Sequence, residues 1–426
     1  MGRAHRVPGR RGRRLRAALC AAVIASPLVA ACGSESGGIT VNVYYSTEEN
    51  FDQVVAKCND AAAGRYKIAL NVLPRGADDQ REQMVRRLAA GDSDMDVLGL
   101  DVTWVAEFAE AGWIAEWTGQ DKADVENGTL AGPLATARWK DKLYAAPKNT
   151  NVQLLWYRGD LVPTPPQSWS EMLDAAKQLK SQGKPGNILM TGAQYEGLVV
   201  QFANLTAGAG GKILSDDSTK AVVDDGAVKA LHALHDLATS PAASASLSNA
   251  KEDNIRQEFE TGKSAAFEIN WPFVYASMAK SNPDLAKVFK WAPLPAIDGS
   301  KTGTAILGGF DLAISTYSRH KPEAFEAATC LRSAENQKFS AINSGVPPTI
   351  ESVYHDPEMA EPYPMRDTIL AELKNPATRP VTPAYQNVST LISTILSPPS
   401  DIDPVKTADR LRSELQDALD SKGVLP

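Results

Sequence analysis

Residues 142–161 restrict what this chain can fold into more than any other stretch. The run 143–147 is short, apolar and closed by Pro147, as a buried strand end would be. Lys148, Asn149, Thr150 and Asn151 follow. The run 152–157 is then apolar again, with β-branched and aromatic side chains, and reads as a second strand. Polar residues between two buried strands are either a turn or the lining of a cleft, and this window alone leaves both open. Past Asp160 come Pro163, Pro165 and Pro166. Ser168 or Ser170 then caps a helix whose first turns carry Glu171.

The first 31 residues are expected to leave the mature chain. They hold seven Arg and no Lys, Asp or Glu, and 17–31 is apolar apart from Ser26 and Pro27, the pattern of a signal peptide. That run is too short and alanine-rich for a stable membrane span. Leu28, Val29, Ala30 and Ala31 before Cys32 resemble a bacterial lipobox, so lipidation of Cys32 is expected, with 32–38 as a polar tether. Losing seven Arg from a formal charge of −7 leaves about −14, which argues against nucleic acid and anionic membrane as partners. About 395 residues then remain, too many for one compact core, and two lobes are expected. Cys58 and Cys330 are left in an oxidising compartment, where a disulfide between two helices of one lobe is the economical outcome.

The run 39–45 is the first strand. Glu48 and Glu49 follow it, just before a helix carrying Phe51, Val54 and Val55, and the carboxyl end of such a strand is where an open α/β sheet holds its ligand. The run 68–73 is a strand, 78–90 a helix and 97–100 a buried strand ending at Asp101; Asp101 is either a ligand group or a helix cap, and Asp96 is structural. Gly208 to Lys212 lacks phosphate-loop spacing and reads as a helix end. His232 and His235 have no convincing partners for a metal. Trp113, Trp139 and Trp156 read as core residues.

The order Tyr144-Ala-Ala-Pro147, polar spacer, Trp156-Tyr157, Asp160-Leu161, Pro165-Pro166, Trp169 resembles a recurring segment of the extracellular solute-binding proteins of sugar importers. Further resemblances are Gly262-Lys263-Ser-Ala-Ala-Phe267, Gly308-Gly309 before Ala313-Ile314, Gly345-Val-Pro347, and Arg379-Pro380 before Pro383 and Tyr385. The resemblance implies an α/β, two-lobe periplasmic-binding-protein type II fold with hinge strands and a cleft between the lobes. The approximate boundaries are 39–150 for the first part of lobe 1, 151–306 mainly for lobe 2, and 307–426 for the hinge return, the remainder of lobe 1 and the C-terminal helices.

It further implies a ligand set. Asp101, Asn151, Asp253, Trp271, Gly309 and Arg379 would face the solute, with Glu252 beside Asp253 as the residue more in keeping with the pattern. Glu48, Glu49, Asn149, Glu196, Asn270 and Phe310 complete the candidates. Carboxylates and a guanidinium match hydroxyl pairs, an indole face packs on a sugar ring, and glycines let the backbone approach.

Several strings, among them Leu100-Asp101-Val102, 106–113, 154–158, 196–200 and 270–274, are similar to mycobacterial trehalose-recycling lipoproteins, although the connector 278–292 is shorter. The implied partners are a disaccharide, the permease and ATPase subunits of an ABC importer, and a membrane reached through the lipid; no cofactor, metal or nucleic acid is expected, and the protein should be a monomer. The rival class, a secreted glycosidase, needs two carboxylates flanking one bond; Asp101 with Asp253 or Glu268 could be imagined so, but no local motif supports an acid of raised pKa.

Overall fold

The computed structural model describes residues 38–297 and 304–420. The expected signal peptide and the lipidation site Cys32 lie outside the described residues. The strands, in chain order, are β1 (Ile39–Tyr45), β2 (Tyr66–Val72), β3 (Val97–Asp101), β4 (Arg138–Trp139), β5 (Lys142–Leu143), β6 (Ala145–Asn151), β7 (Leu154–Arg158), β8 (Asn187–Leu189), β9 (Ala265–Asn270), β10 (Phe289–Ala292) and β11 (Gly308–Ile314). Two sheets use most of them. One runs β2-β1-β3-β11-β6 and the other β10-β7-β9-β8, while β4 and β5 pair by themselves.

The sequence pattern explains the first sheet. Val41 and Val43 are fully buried and Asn42 between them is not, as the alternation in β1 requires. β1 lies parallel to β2 and β3. β11 then runs antiparallel to both β3 and β6, so a strand from late in the chain is inserted into a sheet built early. One hydrophobic core forms around this sheet and includes the buried face of helix Lys321–Leu331. The second core forms around the other sheet and takes in residues from Leu130 to Ala418. The C-terminal helices Tyr385–Leu396 and Pro404–Leu419 belong to this second core, burying Val388, Leu391, Leu411 and Leu415 there.

Residues 148–151 are not a turn. The polar residues are the end of β6, hydrogen-bonded to β11, and the chain passes to the other sheet at Val152 and Gln153. The register pairs Phe310 with Asn149 and Asp311 with Pro147, skipping Lys148. This bulge sends the Lys148 side chain into the interior, where it pairs with Glu48 and lies over the rings of Tyr45 and Phe51. Ser168 is the residue that caps helix Trp169–Ser181, accepting from the Glu171 amide at 3.2 Å.

Cys58 and Cys330 form the expected disulfide, joining helix Phe51–Ala62 to helix Lys321–Leu331 across 272 residues within the first core. Closing so long a loop removes much entropy from the unfolded chain, up to about 5 kcal/mol. One expectation about tryptophans needs correction. Trp156 is fully buried and Trp113 packs half-buried against the first core beside Phe108, but Trp139 belongs to neither core. Trp139 stands on the small β4-β5 ribbon outside both large sheets and donates to Glu110 at 2.7 Å. The other fully buried indole is Trp117.

The Gly208–Lys212 segment ends helix Glu196–Gly208, with Gly210 at φ 71°, as expected of a helix terminus. Asp96 is structural, accepting from the Asn42 amide at 2.8 Å and the Ser318 hydroxyl at 2.5 Å. Among the described residues no group of three His, Cys, Asp or Glu could hold a metal ion, and no helix is long and apolar enough to cross a membrane.

Candidate functional site

A cleft of about 650 Å³ lies between the two sheets, lined by residues of both cores. That volume falls in the usual range for small-molecule sites, roughly 300–1,000 Å³. The first half contributes the segment after β1, the end of β3 at Asp101, and the β6–β11 pair with Asn149, Asn151, Gly308, Gly309 and Phe310. The second half contributes Tyr195 and Glu196 at the start of helix Glu196–Gly208, residues 251–254 and 256 at the start of helix Glu252–Glu260, and Trp271 just past β9.

Trp271 faces Gly308, the first of two adjacent glycines that each require a bare backbone. A Cβ on Gly308 would stand 2.9 Å from the far edge of the indole, so only a bare backbone lets the ring lie there. Gly309 has φ 131°, and a Cβ on it would stand 2.4 Å from the Asn149 carbonyl oxygen. Behind the indole, Asn270 is completely buried and does not line the cleft. Its side chain accepts from the Trp271 amide at 2.8 Å and donates to the Glu252 carbonyl at 3.1 Å and to the Glu268 carboxyl at 2.7 Å. The structure therefore makes Asn270 a positioning residue, because the last residue of β9 still points into the second core.

Arg379 organises the middle of the cleft. Its guanidinium donates to Glu196 at 2.6 Å and to Asp101 at 3.0 Å, and its residue is 4% exposed. Glu196 also accepts from the Tyr385 hydroxyl at 2.6 Å and from the Ser389 hydroxyl. Burial pushes the Glu196 carboxyl upward while the Arg379 charge pulls it down. The expected fork of donors is thus largely spent on carboxylates, and Arg379 sits in packed surroundings rather than at an open strand end. Its Nε is buried and has no partner among the described residues.

Asp101 does not cap the helix that follows; Trp104 occupies that position. Its Oδ1 accepts from the amide and hydroxyl of Thr103 at 3.0 and 2.8 Å as well as from Arg379. Every bond to it among the described residues falls on Oδ1, and none on Oδ2.

The remaining carboxylates differ in how they are held. Glu48 is buried against Lys148 and accepts from Ser340 at 2.7 Å; burial pushes the Lys148 ammonium below its ordinary range despite that carboxylate. Glu49 pairs with Lys280 at 2.7 Å. Asp253 gives one oxygen to Arg75 at 2.5 Å and the other to Arg256 at 3.3 Å.

Glu252 is different. It accepts from the Tyr195 hydroxyl at 2.6 Å, and no Arg or Lys among the described residues lies within ion-pair reach of it. Burial pushes its carboxyl upward. Of the expected residues, all but Asn270 line the cleft. Tyr45, Arg75, Tyr195, Lys251, Arg256, Phe273 and Ser277 line it too and were not singled out from sequence. Arg75 had a readable signal, since it follows the strand end at Leu73 on the carboxyl edge of a parallel sheet.

Residues 46–338 match the family of bacterial extracellular solute-binding proteins. The chain belongs to that family. The binding protein is 29% identical over 383 residues to a probable ABC transporter-binding protein of Deinococcus radiodurans, an alignment covering 85% of this chain and 88% of that one. Its fold is similar to maltose-bound MalE3 of T. maritima, with a TM-score of 0.82 and 27% identity, covering 89% and 99% of the two chains. It is also similar to a solute-binding protein of Thermotoga lettingae bound with α-D-tagatose, with a TM-score of 0.80 and 23% identity over 90% and 100%. The two-lobe α/β architecture of such binding proteins is therefore that of this chain.

One buried acid predicts a pH dependence of stability. Glu268 is 1% exposed, and burial pushes it up to about 8 from an ordinary 4.5. The folded state then holds a proton that the unfolded state releases, so stability falls as pH rises from about 4.5 to about 8 and levels off above. Glu268→Gln should flatten that slope and add on the order of a few kcal/mol near neutral pH. Urea unfolding across this pH range checks it; an equal slope in both proteins would refute the assignment.

Proposed function

We propose that this binding protein captures an uncharged disaccharide, trehalose, and delivers it to the permease of an ABC importer from a position anchored outside the cytoplasmic membrane by lipid on Cys32. The observation that carries the reading is the charge pairing of the cleft. Of the four cations that line it, Arg75, Arg256 and Arg379 are each matched by a carboxylate, and Lys251 lies over the Tyr195 ring. A cleft in which three of four lining cations are already neutralised favours a neutral solute with many hydroxyls over a phosphodiester. Asp101 Oδ2, Asn151 and Glu252 are the hydroxyl partners, and Trp271 over Gly308 is the apolar platform.

The MalE3 relative, bound to maltose, supports the sugar class. The strings that resemble those of the mycobacterial trehalose-binding lipoprotein LpqY support trehalose within it. A maltose-type oligosaccharide is the second reading, favoured by that same relative. Catalysis is not part of the proposal: the Asp101 and Asp253 carboxylates are both tied to guanidinium groups, and Glu268 is buried away from the cleft.

Titration calorimetry with trehalose, maltose, sucrose and glycerophosphocholine tests the reading. Trehalose should bind most tightly and glycerophosphocholine not at all. Equal affinity for the three sugars would remove trehalose and leave the class, whereas tighter binding of the phosphodiester would overturn the class. Cys32→Ala should move the mature protein from the detergent to the aqueous phase, and unchanged partitioning would remove the anchor.

A further inference from the structure

Two ion pairs cross the mouth of the cleft. Arg75, in the segment after β2, reaches Asp253 at 2.5 Å; Glu49, in the segment after β1, reaches Lys280 at 2.7 Å. On one side both residues stand on the carboxyl edge of the first sheet. On the other side Asp253 begins helix Glu252–Glu260 and Lys280 lies at the end of helix Phe273–Ser281.

These two helices form one frame. Arg256 bonds Glu260 at 2.7 Å and the Ser277 hydroxyl at 2.8 Å, Ser277 donates to Glu260 at 2.6 Å, and Asn282 donates to the Glu260 carbonyl at 2.9 Å. Arg256 also holds the free oxygen of Asp253. Asp253 is thus preset before Arg75 meets it. Both pairs are open to water: the side chain of Arg75 is 70% exposed, and those of Glu49 and Lys280 are 56% and 53% exposed.

We propose that Arg75–Asp253 and Glu49–Lys280 form an ionic clasp at the mouth of the cleft, so that solute release is governed by charges that do not touch the solute. Asp253 is then a clasp residue, its oxygens spent on Arg75 and Arg256, and the acidic solute contact on its helix falls to Glu252. Exposed ion pairs are weakened by dissolved salt, because the screening length shrinks from about 30 Å at 0.01 M to about 3 Å at 1 M. A hinge-bending protein moves between states separated by small free energies, so even weak pairs shift the populations. The consequence is a dissociation rate that rises with salt although the solute itself carries no charge.

The inference concerns closure of the same cleft, and its test has an arm that needs no solute. In stopped-flow displacement of trehalose, or of maltose if that is the tighter ligand, the dissociation rate should rise with salt. Arg75→Ala and Lys280→Ala should each raise it about two- to fivefold at low salt, the range expected of an exposed ion pair. The double variant should lose most of the salt dependence. Glu49→Lys and Lys280→Glu should each speed release, and the two together should restore the wild-type rate, which a direct solute contact or a merely structural role would not do. Without any sugar, small-angle scattering should give a larger radius of gyration for the Arg75→Ala, Lys280→Ala double variant than for wild type at low salt. Equal radii, a salt-independent rate in wild type, or failure of the charge swap to restore release would overturn the clasp. If neither sugar binds, the proposed ligand class falls and the scattering comparison still decides the clasp.

Discussion

Arg379→Met is expected to destabilise the protein by about 3–5 kcal/mol and to abolish measurable sugar binding. Removing one partner of a buried ion pair leaves the other charged and unpaired, and that penalty, rather than the worth of the pair, sets the size of the loss. Here the group left behind is Glu196, buried under helix Tyr385–Leu396 with the Tyr385 and Ser389 hydroxyls as donors and the like charge of Asp101 nearby. The variant should show a pH dependence of definite sign. Without the guanidinium, burial raises the Glu196 carboxyl further, so the folded state binds its proton more tightly than the unfolded chain, whose carboxyl titrates near 4.5. Stability should therefore recover as pH falls toward that value and be lost as pH rises above it. Adding Glu196→Gln should restore much of the stability at neutral pH. Denaturant melts of the two variants at several pH values measure this, and a loss below about 1 kcal/mol would mean that Arg379 is not the keystone its contacts describe.

Trp271→Ala is expected to weaken sugar affinity about ten- to a hundredfold while leaving the fold intact. Covering an aromatic face is worth roughly 1.5–3 kcal/mol, and each 1.4 kcal/mol is a factor of ten in affinity. The indole is only partly buried and stands on Gly308 at the cleft wall, so its loss exposes no core. Gly308→Val gives a separate handle, since its side chain would occupy the space of the indole edge and displace the platform without removing it. Calorimetry on both variants, with circular dichroism to check the fold, decides the matter. Wild-type affinity in both would move the sugar elsewhere in the cleft.

Much of this arrangement was legible in the linear chain. The strand ending at Asp101, the Trp271 that follows Asn270, and the Gly308-Gly309 pair are local patterns, and local patterns are set by side-chain alternation and backbone sterics. The pairing of Cys58 with Cys330 followed from compartment and count. Asn270 was misread because a strand end and the residue just past it look alike in sequence, whereas the pleat turns one inward and the other to the cleft.

Other features could only be decided in three dimensions. Lys148 reads as part of a polar turn until β11 pairs with β6 and the register steps over it, driving its ammonium onto Glu48. Arg379 reads as an open fork of donors until Glu196, 183 residues away, and Asp101, 278 residues away, close on it. The same holds for Arg75 with Asp253 and for the C-terminal helices, which join the second core rather than the first. The periodicity of the chain determined which segments become strands and helices and which side chains end up at their tips, because those choices depend on neighbours in sequence. Which charges meet across the cleft was decided only by the tertiary structure, because an ion pair depends on distance in space, and nothing local records which distant segment will be folded against it.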